Sequence, residues 1–197
     1  MNPPIHAAHG GYSRAQIALH WLSVALMCSL VLAGELRHLL VEHADLRMRP
    51  IMIVHIGSGM ALLVVMLMRS ALRASRAKPI GATTLQQWCA HIVHLAMYVF
   101  VLGECLAGWV IVNAKGLVIP MPGMGWDFPR LVDADPQLVR YMVQAHEWLG
   151  FLLYALLAAH IGAALWHHWV VKDGTLGHMG GPGWRLARRG QRLQNAS

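Results

Sequence analysis

His146 to His168 reads HEWLGFLLYALLAAHIGAALWHH. The run is apolar and long enough for a membrane helix, yet it carries histidines. His146 and His160 are 14 residues apart. At about 100° and 1.5 Å per residue, both rings fall on nearly one face, roughly 21 Å apart along the axis. His167 follows seven residues later on that face. Imidazoles spaced across a membrane need partners inside the protein, so the rest of the chain is read for what it brings to this stripe.

The chain has 197 residues, 56% of them hydrophobic and 13% charged. A soluble domain of this size is nearer 45–50% apolar, so an integral membrane protein of one domain is expected. Cys28, Cys89 and Cys105 all lie in apolar runs with no CxxC spacing. That pattern argues against a disulfide framework, an iron–sulfur cluster or covalent haem attachment. Residues 1–13 lack a basic start, and no small-residue cleavage site follows the first apolar run, so that run is read as a retained span.

Ser13 and Gln16 have the spacing of a capping box and open a helix that runs to about Leu36. Pro50 is expected in the first turn of a second helix, from Ile51 to about Leu72. Thr84 and Gln87 suggest a second capping box, opening a third helix that ends near Val112. Residues 113–135, rich in Gly and Pro, are too long for an ordinary connection and read as a functional loop or cover. Asp135-Pro136 starts a fourth helix reaching about Val171. The fold expected is therefore all-α: a four-transmembrane-helix bundle over residues 12–179, with a basic tail over 180–197.

Charge sets the orientation. The N-terminus, the 69–86 connection and the tail hold ten Lys/Arg and one acid; the 35–50 and 113–140 connections hold six of each. The first side is cytoplasmic, and both termini lie there. The net charge of +7 is accounted for in this way, and nucleic acid is not an expected partner.

Thirteen histidines are present. Six lie in or near spans: His20, His55, His91, His94, His146 and His160. Topology matches His55 with His146 near the outer face and His20 with His160 near the cytoplasm. Each match joins two helices at one depth. That arrangement suits two bis-imidazole haems stacked across the membrane. For any single histidine, the competing reading is a packing residue bonded to a carbonyl. His91 and His94, at i and i+3 on helix three, compete for the inner ligand role, a propionate contact or a quinone contact. His167 and His168 stand at the cytoplasmic mouth, as an interfacial pair or as part of a quinone site. His6, His9, His38, His43 and His178 lie in the flanks and read as solvated.

These residues resemble the bacterial cytochrome b561 family. Tyr12-Ser13-Arg14-Ala15-Gln16-Ile17-Ala18-Leu19-His20-Trp21 is similar to its opening motif. His146-Glu147 with His160, His167 and His168 is similar to its fourth helix, and Lys172-Asp173-Gly174-Thr175-Leu176 to the turn that follows. Pro50-Ile51, His55, Arg69 and Arg73 fit its second helix. His178 departs from the family pattern, and the loop 113–135 is individual to this chain. The resemblance implies two haems b, one on His20 and His160 and one on His55 and His146. It implies electron transfer in the bacterial inner membrane between a small periplasmic donor or redox protein and ubiquinone of the quinone pool, with superoxide as one donor known in the family. His167, near Ser13 and Arg14, is then expected at the quinone end. Arg37 and Lys115 are candidates for drawing an anionic donor to the outer haem, against an ordinary snorkelling role. Arg69 and Arg73 are candidates for the haem propionates, against a positive-inside role.

Under this reading the cofactors carry the electrons and the protein positions and tunes them. Quinone reduction consumes protons, which a titratable His167 could relay. Glu104, in the middle of helix three, is expected to be a bonded packing residue or a partner to a haem histidine, with proton carriage as the alternative. Two further functions compete: an electron-carrying membrane anchor of a larger dehydrogenase or hydrogenase, and a transition-metal transporter using the histidines and the twelve methionines. Methionine at helical spacing is more often core filler, and transporters usually show more spans or repeats.

Overall fold

Backbone polar groups inside a bilayer must be satisfied by the chain itself, and here helices satisfy them. The computed structural model describes residues 13–39, 44–75 and 85–172. Its helices are α1 Arg14–Leu39, α2 Ala44–Ala74, α3 Leu85–Ala114 and α4 Pro136–Trp166. A π-helical turn, His167–Val171, continues α4. Four stretches are long and apolar enough to cross a bilayer: Arg14–Arg37, Pro50–Ala74, Trp88–Ala114 and Pro136–Val171. The chain is thus an all-α, multi-pass membrane protein, as its hydropathy indicates. Four crossings bring the start of α1 and the end of α4 to the same side. His6, His9, His43, His178, Thr84 and the tail 180–197 lie outside the described residues, as do the side chains of His38 and Gln87.

The helix boundaries follow local chemistry. Ser13 and Gln16 form the expected capping box: Ser13 N–H donates to Gln16 Oε1 at 3.1 Å, and Gln16 N–H donates to Ser13 Oγ at 3.2 Å. The expected start of α2 is corrected. The helix begins at Ala44, and Pro50 lies inside it rather than in its first turn. Pro50 is instead the first residue of the apolar stretch. The carbonyl that its missing N–H leaves free falls one turn earlier, outside the hydrocarbon layer, where the loss costs least.

α1 packs along α2, α2 along α3, and α3 along α4. Ser29 Oγ and Ser58 Oγ, 3.0 Å apart, tie α1 to α2. Tyr154 of α4 donates to Glu35 Oε1 of α1 at 3.3 Å and closes the ring of helices. The core is built mainly from α2 and α3. Leu62 is 1% exposed, and Met60, Leu63 and Met66 surround it with Val101, Cys105 and Val112. α4 buries Leu153 alone. Its Trp148, Phe151, Leu152 and Ile161 are exposed and form a face for lipid.

The 113–135 loop is a folded cover. Asn113 is 0% exposed. Its Oδ1 accepts from Leu131 N–H at 2.9 Å, and its Nδ2 donates to the Leu117 carbonyl at 3.2 Å. Phe128 N–H donates to the Ile119 carbonyl at 2.8 Å, and Met121 N–H to the Trp126 carbonyl at 2.9 Å. Gly123 and Gly125 make the turn between them at φ +76° and +69°, where a side chain would be strained. Asp135 then caps α4, its carboxylate accepting from Gln137 N–H at 2.8 Å and Leu138 N–H at 3.1 Å.

Candidate haem sites

Two imidazole clusters occupy the bundle at two depths. The outer one joins His55 of α2 to His146 of α4, their ring centres 6.3 Å apart and their planes 86° apart. Both rings are half-buried. The Glu104 carboxylate of α3 contacts Nδ1 of His146. Nδ1 of His55 is buried without a hydrogen-bond partner. Two glycines flank the rings. A Cβ at Gly34 of α1 would lie 4.0 Å from Cε1 of His55, and one at Gly108 of α3 would lie 3.7 Å from Cε1 of His146. Each imidazole therefore looks onto a helix that carries no side chain opposite it. Arg37 stands within electrostatic reach of His55. Lys115 is exposed just beyond the outer end of α3.

The inner cluster gathers His20 of α1, His94 of α3 and His160 of α4, which lie within electrostatic reach of one another. His94 and His160 have ring centres 5.3 Å apart. His94 Nδ1 bonds the Ala90 carbonyl of its own helix at 2.6 Å. Arg69 of α2 organises the neighbourhood. Its Nη1 donates to Ser23 Oγ at 3.0 Å, and its Nη2 lies 3.3 Å from His20 Nδ1. Ser23 passes its own proton to the Leu19 carbonyl at 2.7 Å. Arg69 and Arg73 both stand over the Tyr98 ring, 5.6 and 5.7 Å from its centre, so cation–π contacts hold two like charges side by side. His91 is exposed one turn from His94. His167 and His168 sit half-buried in the π-helical turn, a form of helix that recurs at functional sites. Ser13 and Arg14 are exposed at the start of α1, where the Ser13 side chain serves as a helix cap.

The outer cluster fits a metal held between two imidazoles. An imidazole nitrogen binds a first-row metal at about 2.0–2.1 Å, so two imidazoles on opposite sides of one ion stand roughly 6.3 Å centre to centre. His55 and His146 have that spacing, and each ring faces a glycine of a neighbouring helix. Among the described residues, no group of three or more His, Cys, Asp or Glu side chains could hold a metal ion. Two axial ligands per iron are what a porphyrin requires, because its own nitrogens supply the remainder.

The expected depth matching of His55 with His146 is thus present as a contact. At the inner end the structure adds His94 to the pair of His20 and His160. Sequence reasoning did not single out Ser23, Tyr98 or Asn113. Ser23 had a signal, three residues beyond His20 on the same helix face. Tyr98 and Asn113 act through other helices or a folded loop and had none. Trp109 was also passed over; its Nε1 is buried without a partner, and its ring packs 5.6 Å from Phe128 of the loop.

Known proteins agree with this architecture. The chain is 27% identical over 170 residues to cytochrome b561 homolog 1 of Escherichia coli (strain K12), covering 84% of this chain and 94% of the relative. It is 28% identical over 171 residues to the probable superoxide oxidase CybB of Yersinia pestis, covering 85% and 94%. It is 27% identical over 173 residues to cytochrome b561 homolog 2 of the same E. coli strain, covering 85% and 90%. The family profile described as prokaryotic cytochrome b561 matches residues 11–182. A four-helix membrane bundle with imidazoles paired inside it is what such a cytochrome needs to hold b-type haem and pass electrons, and the chain belongs to the prokaryotic cytochrome b561 family.

Proposed function

We propose that this protein is a diheme cytochrome b of the bacterial inner membrane that passes electrons from a periplasmic one-electron donor, superoxide first among them, to ubiquinone. The observation that carries the reading is the 6.3 Å spacing of His55 and His146, each ring facing a glycine of a neighbouring helix. The outer haem b takes His55 and His146; the inner takes His20 and His160. His94 is the competing inner ligand. Its ring stands 5.3 Å from that of His160, about 1 Å closer than two imidazoles sharing one iron.

When bound, the two haems supply one-electron storage at two depths. The chain does the rest. Arg37, close to His55, and Lys115, on the same outer side, set positive charge where a small anion arrives. Two superoxide ions each give up one electron and leave as dioxygen. One ubiquinone takes both electrons with two protons and becomes ubiquinol. His167, at the end of the bundle where α1 starts with Ser13 and Arg14, orients the quinone and hands on protons from that side. Arg69 and Arg73, steadied by Tyr98, and His91 nearby are the groups for the inner propionates.

A second reading has its own observation. The folded outer loop exposes Leu117, Met124 and Trp126 beyond the spans, which suits a docked partner subunit and a role as the electron-carrying anchor of a larger dehydrogenase or hydrogenase. One series of measurements separates the readings. The detergent-purified protein is assayed for haem by the pyridine method, then mixed with superoxide and a soluble ubiquinone. Two haems b per chain and ubiquinol formation support the proposal. Two haems without superoxide-dependent ubiquinol, together with a copurifying dehydrogenase, support the anchor. Haem-free protein from haem-replete cells overturns both and returns the metal transporter.

A further inference from the structure

Glu104 is an expensive residue. It lies in the middle of α3, 8% exposed, inside a stretch that crosses the membrane. One carboxylate oxygen contacts His146 Nδ1, while the other, Oε1, is buried without a hydrogen-bond partner. A buried acceptor left unpaired is costly. α4 makes room for it, since a Cβ at Gly150 would lie 3.8 Å from Glu104 Oε1. Packing alone does not call for this arrangement, because an apolar side chain there would avoid the penalty.

We infer that Glu104 is a positioning residue for the outer haem: its carboxylate accepts the Nδ1–H of His146, fixes that ring with Nε2 toward the iron, and makes His146 the more electron-rich of the ligands. The inference rests on the proposed haem between His55 and His146. The ligand chemistry is asymmetric in the way it requires. His55 meets the Leu30 backbone and His94 bonds the Ala90 carbonyl, both neutral groups. Of His20, His55, His94, His146 and His160, it is His146 that contacts a carboxylate. A carboxylate behind a ligating histidine raises the basicity of the ligand. A more basic ligand favours ferric over ferrous iron, so the outer haem has the lower potential of the two. An electron entering from outside then runs downhill toward the inner haem, and Glu104 sets the direction of transfer without touching donor or quinone.

The test is a spectroelectrochemical titration of the purified holoprotein at one pH, with low-temperature EPR of the ferric haems, for wild type, Glu104→Gln, Glu104→Asp and His55→Ala. The wild type is expected to show two midpoints, the lower one absent in His55→Ala. Glu104→Gln is expected to keep both haems, raise that lower midpoint alone and move one of two low-spin EPR signals. Glu104→Asp is expected to return both toward wild type. Unchanged midpoints and EPR signals in Glu104→Gln, or equal movement of both haems, overturn the inference while leaving the diheme reading intact. If Glu104→Gln loses the outer haem, retention of that haem by Glu104→Asp supports the role of the carboxylate; its loss there too reduces Glu104 to packing. A wild type without haem removes the parent reading and this one with it.

Discussion

His55 and His146 come from helices more than eighty positions apart in the chain, and each would be a poor choice for lipid. Their meeting converts two local costs into one shared ligand set. His55→Ala and His146→Ala should each lower the haem content from two to one per chain, measured by pyridine haemochrome on folded protein. His20→Ala should do the same at the inner site, while His94→Ala should keep both haems. Asn113 works differently, as a buried polar clamp. Asn113→Ala leaves Leu131 N–H and the Leu117 carbonyl without their partner. It should destabilise the holoprotein by about 1–3 kcal/mol, seen as a lower midpoint in thermal unfolding, with the haem spectrum unchanged. The histidines were legible in the sequence because imidazoles stand out in apolar runs. A histidine partner for Glu104 was among the expectations; that it is His146 was not legible, since it depends on how α3 is set along α4. Nothing within either helix encodes that offset.

Capping chemistry fixes where the elements begin, and it was read correctly at Ser13 and at Asp135-Pro136. Asp135 offers the sharper test because one carboxylate oxygen takes two backbone donors. Asp135→Ala should cost about 1 kcal/mol in unfolding, with little change in helix content by circular dichroism. Pro50 was misplaced by one kind of reasoning that usually works. Proline prefers a first turn, but here the favoured boundary is that of the bilayer, and the helix extends outward to Ala44. The loop 113–135 was recognised by its length and its glycines. Its Pro120–Asp127 bridge and its anchoring through Asn113 were not, because these pairings link residues with no periodic pattern between them.

At the level of the whole molecule, the charge pattern makes a prediction independent of haem. Ten basic residues against one acid on the side of the termini predict that this side faces the cytoplasm. A periplasm-dependent phosphatase fused after Ser197 should be inactive, and a fluorescent protein fused there should glow. Introducing Lys and Arg at the 113–135 loop should erode that preference. The number of spans was legible because four apolar runs are separated by turn chemistry and charge. The distribution of the core was not. Burial is concentrated between α2 and α3, while α4 contributes Leu153 alone. α4 rests against α3, and on the proposed function a porphyrin held by His146 and His160 adds to that seating. On that reading the lifetime of the chain in the membrane should lengthen with haem supply, which a pulse-chase in haem-limited and haem-fed cells measures.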